Sequence, residues 1–253
     1  MFSSAYGKRT RKFERFNIHQ RIQHIMMFVS FFMCTFTGLP IKYNHSWWAP
    51  KVTALFGGFD TMFTVHLIGA AIMLASSAYH LFYLIIYPII KKQISIATVP
   101  ALKDVRDINQ HMRYLLGLTK EKARFDRYSY KEKFDYWAVF WGIFIMGGSG
   151  LMMWFPSFSA GLFPRWLIES TRIAHSDEAM LAILAIFIWH FYNVHFSPDF
   201  FPMNFVWFHG KMSHELMEHE HPAELNKILE KEQGANEKKD PKVPEDDTSR
   251  LNI

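Results

Sequence analysis

Two apolar stretches of this chain each carry a pair of histidines, His66 with His80 and His175 with His190. An imidazole inside an apolar stretch is costly and usually functional. At about 100° and about 1.5 Å per residue of helix, the 14-residue spacing returns within about 40° of its starting face some 21 Å further along. The 15-residue spacing returns within about 60°. Each helix therefore presents two imidazoles on roughly one face at two depths. Two such helices can clamp two stacked haems, His66 facing His175 at one depth and His80 facing His190 at the other. Six-coordinate iron leaves no open position for oxygen or substrate, so this chemistry is electron transfer, and no catalytic residue is expected. Cys34 is the single cysteine and the C-x-x-C-H attachment motif is absent, so the haems are of the non-covalent b type and no iron-sulfur cluster can be built. One intramembrane histidine alone is as readily interhelical glue, or part of a proton relay. Two matched pairs favour haem.

The elements that must position these residues are membrane spans. Half of the 253 residues are hydrophobic and 17% are aromatic, and long apolar blocks alternate with charged ones. Four blocks can cross a hydrocarbon core of about 30 Å, roughly residues 22–43, 62–90, 134–154 and 173–196. They predict an all-α, integral-membrane four-helix bundle. The basic run before the first block resembles a signal-peptide n-region, but the block is long and lacks a small-residue cleavage site, so it reads as a retained helix. Of the 28 Lys and Arg residues, 24 fall in the N-terminus, the segment after the second span and the C-terminal tail. That bias predicts both termini on the cytoplasmic side of a bacterial inner membrane. The same bias accounts for the sequence pI of about 9.2 without nucleic acid.

The expected organisation is a basic cytoplasmic N-terminus (1–21), a four-span di-haem region (22–198) with an inner-surface loop (91–133), and a cytoplasmic tail (199–253), disordered after about 231. Within the loop, Pro100 opens a short amphipathic helix on which Leu102, Val105, Ile108, Met112 and Leu115 share a face, suited to lie on the inner surface. Gly69, Gly142, Gly147, Gly148 and Gly150 either let a flat porphyrin approach or pack helices closely.

The chain also resembles the cytochrome b (gamma) subunits of membrane-bound formate dehydrogenases and the related hydrogenase cytochromes b. The resemblance covers about residues 11–226. It rests on Arg21-x-x-His24 followed by Gly38, on His66, on Tyr128 to Lys133 followed by Trp137, on Gly150 to Pro156, on His175 and His190-Phe191-Tyr192, and on Gly210-Lys211 with His221-Pro222. It implies two haems b and a quinone site near the cytoplasmic haem, with His24 as the partner of His190. His24 and His80 thus compete for one position. Depth favours His80 and the resemblance favours His24, with the balance slightly toward His80. At the quinone pocket the family's Asn and Gln correspond to Ser129 and Glu132, beside His24. Glu132 could exchange protons with a quinone, or be an ordinary interfacial charge.

The expected function is electron transfer between the menaquinone or ubiquinone pool and a periplasmic partner, an iron-sulfur or multihaem cytochrome c subunit that holds any substrate chemistry. Two rivals are a haem-free transporter, for which His209, His214, His219 and His221 could gather metal, and a structural anchor subunit. Neither needs the paired histidines.

Overall fold

The computed structural model describes residues 11–91, 97–198 and 200–239. They fall into two compact units: Lys12–Val99 with Lys131–Met212, and Pro100–Tyr130 with Arg11 and residues 213–239.

The first unit contains four helices long and apolar enough to cross a membrane, Ile18–Lys42, Phe59–Ile90, Tyr130–Trp154 and Arg165–Phe196. Ile, Leu and Phe side chains cover their outer faces, and the few buried positions carry small polar residues such as Ser30, Thr37, Ser76 and Ser149. This inside-out distribution suits lipid, where helices gain by close packing and local hydrogen bonds rather than by hiding apolar surface from water. A capping box starts the first span: Gln20 N–H donates to the Asn17 side chain (3.0 Å) and Asn17 N–H to Gln20 Oε1 (3.1 Å). The first and second spans pack together most extensively, with Gly69 set directly against Met33 and Cys34. At the far end of the first span, Lys42 Nζ donates to Asp177 (2.8 Å) and Ser176 (2.9 Å) of the fourth.

Two features depart from regular helix. Leu184 is the last α-helical residue before two π-helical stretches, Ala185–His190 and Tyr192–Phe196, so the regular spacing between His175 and His190 does not hold. After the fourth span the chain turns back through Val206–His209 to a short strand, Lys211–Ser213, paired with Lys12–Glu14. Gly210 makes this return possible: at φ 77° it accepts from Arg15 N–H (2.8 Å) and Phe16 N–H (3.1 Å), and a Cβ there would strike the Phe16 carbonyl.

In the second unit the predicted amphipathic helix spans Leu102–Leu115. Its polar side faces inward, with Asp104 and His111 buried, while Leu102, Val105, Met112 and Leu115 are exposed. Helices His214–Glu220 and Pro222–Lys239 complete the unit around Phe125, Met217 and Leu225. The last helix thus runs past Lys231 as far as Lys239; the rest of the tail expected to be disordered lies outside the described residues. Ion pairs Lys122–Glu220 (3.2 Å), Arg127–Glu224 (2.6 Å) and Lys227–Asp126 tie residues 120–130 to these helices.

Burial acts to raise the Asp126 pKa, but the Lys227 hydrogen bond and charge, the Arg127 N–H and Lys103 together hold it below 3.8. A carboxyl depressed in the folded state contributes stability above its unfolded pKa that is lost as pH falls through the folded value. Acidification below pH 3.8 should therefore lower amide-exchange protection in 214–235, after correction for intrinsic rates, and Lys227→Met should blunt this response. Equal protection at pH 5 and pH 3 would show that the pair does not hold the unit together.

Candidate functional site

His66 and His175 come from the second and fourth spans and face each other, ring centres 6.4 Å apart and planes at 65°. Each ring is oriented by a hydrogen bond from Nδ1. Thr37 Oγ1 donates to the Met33 carbonyl (2.6 Å), so it meets His66 Nδ1 (2.9 Å) as acceptor. His175 Nδ1 lies 3.2 Å from the Met146 carbonyl and 3.1 Å from Ser149 Oγ, which itself donates to Ile145 O (2.7 Å). A carbonyl can only accept, so His175 carries its proton on Nδ1. In both rings Nε2 keeps its lone pair and has no partner among the described residues. Such second-layer hydrogen bonds fix the tautomer of a metal-binding imidazole. Gly38 and Gly150 give the rings room: a Cβ at either would come within 3.3 Å of His66 or His175.

Two imidazoles bonded to one metal ion from opposite sides, at about 2.0 Å each, have ring centres roughly 6 Å apart. The observed separation and the pair of free Nε2 atoms fit bis-histidine ligation of haem iron.

His190 has the same arrangement, Nδ1 held 3.0 Å from Asp135 Oδ2 and Nε2 without a partner among the described residues. His24 lies near His190 and His195. Its ring packs on Trp207 with centres 5.5 Å apart. His80 differs: Nδ1 meets Gln23 Oε1 (2.9 Å) and Nε2 meets the Tyr136 hydroxyl (3.0 Å), so both nitrogens are engaged by the protein. Glu132 pairs with Arg15 (3.0 Å), whose side chain is 1% exposed. Ser129 belongs to the other unit and is buried. Among the glycines, Gly69, Gly142 and Gly147 meet neighbouring helices, while Gly148 borders open space. The tail histidines are bound separately, His209 accepting from Lys211 N–H, His219 beside Glu220 and His221 on the Asp126 carbonyl. No cluster of histidine, cysteine and carboxylate suited to a bare metal ion occurs among the described residues.

Sequence reasoning missed Trp207 and Asp135. Trp207 follows the last span in a stretch without regular pattern, and Asp135 sits in a charged run with nothing to mark it as a histidine partner.

Compared with curated proteins, the chain finds no significant match. Residues 15–200 match the profile of the family described as prokaryotic cytochrome b561. With a family match over residues 15–200 and four helices long and apolar enough to cross a membrane, this chain belongs to the prokaryotic cytochrome b561 family, membrane proteins that transfer electrons through haem b.

Proposed function

We propose that this chain passes electrons between a redox partner on the outer side of a bacterial inner membrane and the quinone pool, as the cytochrome b subunit of a formate dehydrogenase- or hydrogenase-type complex. The observation that carries the reading is the His66–His175 pair, with both Nδ1 atoms tied down and both Nε2 atoms without a partner among the described residues. Haem b, when bound, supplies one-electron redox chemistry. His66 and His175 would hold the outer haem. His24 and His190 would hold the inner one, which the engaged nitrogens of His80 favour. Thr37, Ser149, Met146 and Asp135 would then fix the ligands' tautomers. A quinone would bind on the inner side near His24 and Glu132, as the resemblance implies. The partner would be an iron-sulfur or multihaem cytochrome c subunit docking near the outer haem. The resemblance favours electron flow toward quinone.

The test is a reduced-minus-oxidised spectrum with haem quantified against protein. Two low-spin, bis-imidazole haems b per chain are expected. A fully loaded, folded preparation with one haem or none would overturn the reading.

The distribution of basic residues supports both termini on the inner side. The exposed apolar face of Leu102–Leu115 suits the lipid surface there. Reporter fusions at the C-terminus and within residues 157–171 should give opposite signals, the former cytoplasmic. A periplasmic C-terminus would reverse the assignment of inner and outer haems.

A further inference from the structure

Among the described residues, three buried side-chain nitrogens have no hydrogen-bond partner: Gln23 Nε2, Trp189 Nε1 and Trp207 Nε1. A buried donor left unmade costs about 1–3 kcal/mol, so such groups point to something they bind. Gln23 directly precedes His24 in the first span, Trp189 directly precedes His190 in the fourth, and Trp207 packs its indole on the His24 ring.

Two of the donors are held in place. Gln23 is 8% exposed, and its Oε1 is the acceptor for His80 Nδ1–H, while His80 Nε2 accepts from the Tyr136 hydroxyl. The chain Tyr136 to His80 to Gln23 is directional, and it turns the Gln23 N–H group away from His80 as the terminal donor. Ser76 Oγ donates to the Gln23 backbone carbonyl (3.3 Å) and steadies the same turn of helix. Trp207 is fixed by His24 on one side and by Phe28, stacked at 6.2 Å and 23°. Both groups are N–H donors, and the Trp207 indole lies against the His24 ring; donors match a ligand whose oxygens only accept.

We propose that the Gln23 amide and the Trp207 indole donate hydrogen bonds to an acceptor oxygen of the ligand seated at His24. That oxygen is a carboxylate of the haem or a carbonyl of the quinone. The proposal rests on the function proposed above. In it, His80 is a positioning residue: it aims the Gln23 amide through one bond and, with the Tyr136 bond, ties the second and third spans to the first.

The experiment uses the full-length, haem-loaded protein and the variants Trp207→Phe, which keeps an aromatic ring without the N–H, and Gln23→Leu. Haem content, the midpoint potential of the inner haem and ubiquinone-1 affinity by calorimetry are measured for each. A shifted potential at unchanged ubiquinone-1 affinity supports the proposal with a haem carboxylate as acceptor. Ubiquinone-1 affinity weakened about tenfold, one hydrogen bond's worth, at unchanged potential supports it with the quinone carbonyl. Unchanged potential and affinity in both variants overturn it, the N–H groups then meeting water alone. If a variant fails to fold, ultraviolet resonance Raman of the indole N–H in the unaltered protein, with and without ubiquinone-1 and at different haem loading, decides: an N–H signal that never responds overturns the proposal for Trp207. Two haems in the wild type with no response sink only this inference, whereas absent haem sinks the function itself.

Discussion

Replacing His24 by alanine should leave one low-spin haem per chain, the inner site empty or high-spin, whereas His80→Ala should retain two. The expected difference follows from which nitrogens are free. His80 spends both of its nitrogens on Gln23 and Tyr136, and a ring cannot ligate iron without giving up one of those bonds. His24 carries no such pair of bonds among the described residues and lies near His190 and His195. His190 in turn holds its proton on Nδ1, toward Asp135, which leaves Nε2 for iron. The His80→Ala protein should be altered elsewhere. Loss of two part-buried hydrogen bonds, at about 1 kcal/mol each, should lower its thermal stability and loosen the Gln23 amide. Retention of two low-spin haems by His24→Ala with loss of one by His80→Ala would reverse the assignment and restore an inner haem held wholly by the second and fourth spans.

That choice also shows where the sequence is legible and where it is not. The four spans were readable because hydropathy is a local property summed over some twenty residues. Their starts were not: the first helix begins at Ile18 through a capping box, and the fourth at Arg165, eight residues ahead of its apolar stretch, because polar first turns carry no hydropathy signal. His66 and His175 were found by spacing and depth, and they do meet. Extending the same rule to His80 and His190 assumed regular helix throughout. The π-helical stretch from Ala185 to His190 places more residues in each turn, so His190 is re-aimed by a backbone irregularity that no residue type announces. The tautomer logic was equally hidden, since Thr37, Ser149 and Asp135 become partners of histidines only through packing between spans. The amphipathic helix was visible in its face but not in its sense: the polar side of Leu102–Leu115 turns into its own unit and the apolar side outward.

Glu132→Gln should slow quinone turnover about a hundredfold while leaving both haems in place, if the carboxyl carries protons to or from the quinone, since a positioned general acid or base contributes about 10²–10⁴-fold. The structure gives the same carboxylate a second task, because it pairs with the almost fully buried Arg15 at 3.0 Å. Arg15 is itself anchored by its backbone to Gly210, so this pair joins the residue after the strand Lys12–Glu14 to the start of the third span. A hydrogen bond to a charged group is worth about 1.5–3 kcal/mol, and Glu132 is partly exposed, so the lower end of that range applies. The two tasks separate in the measurements. Glutamine preserves an acceptor for Arg15 but cannot exchange a proton, so a kinetic role appears as lost turnover at nearly unchanged melting temperature. Glu132→Ala removes both, and should lower the melting temperature as well. If Glu132→Gln turns over quinone at the normal rate and only the alanine variant is impaired, through its stability, the carboxylate is the counter-ion of Arg15 and the proton reaches the quinone by another group.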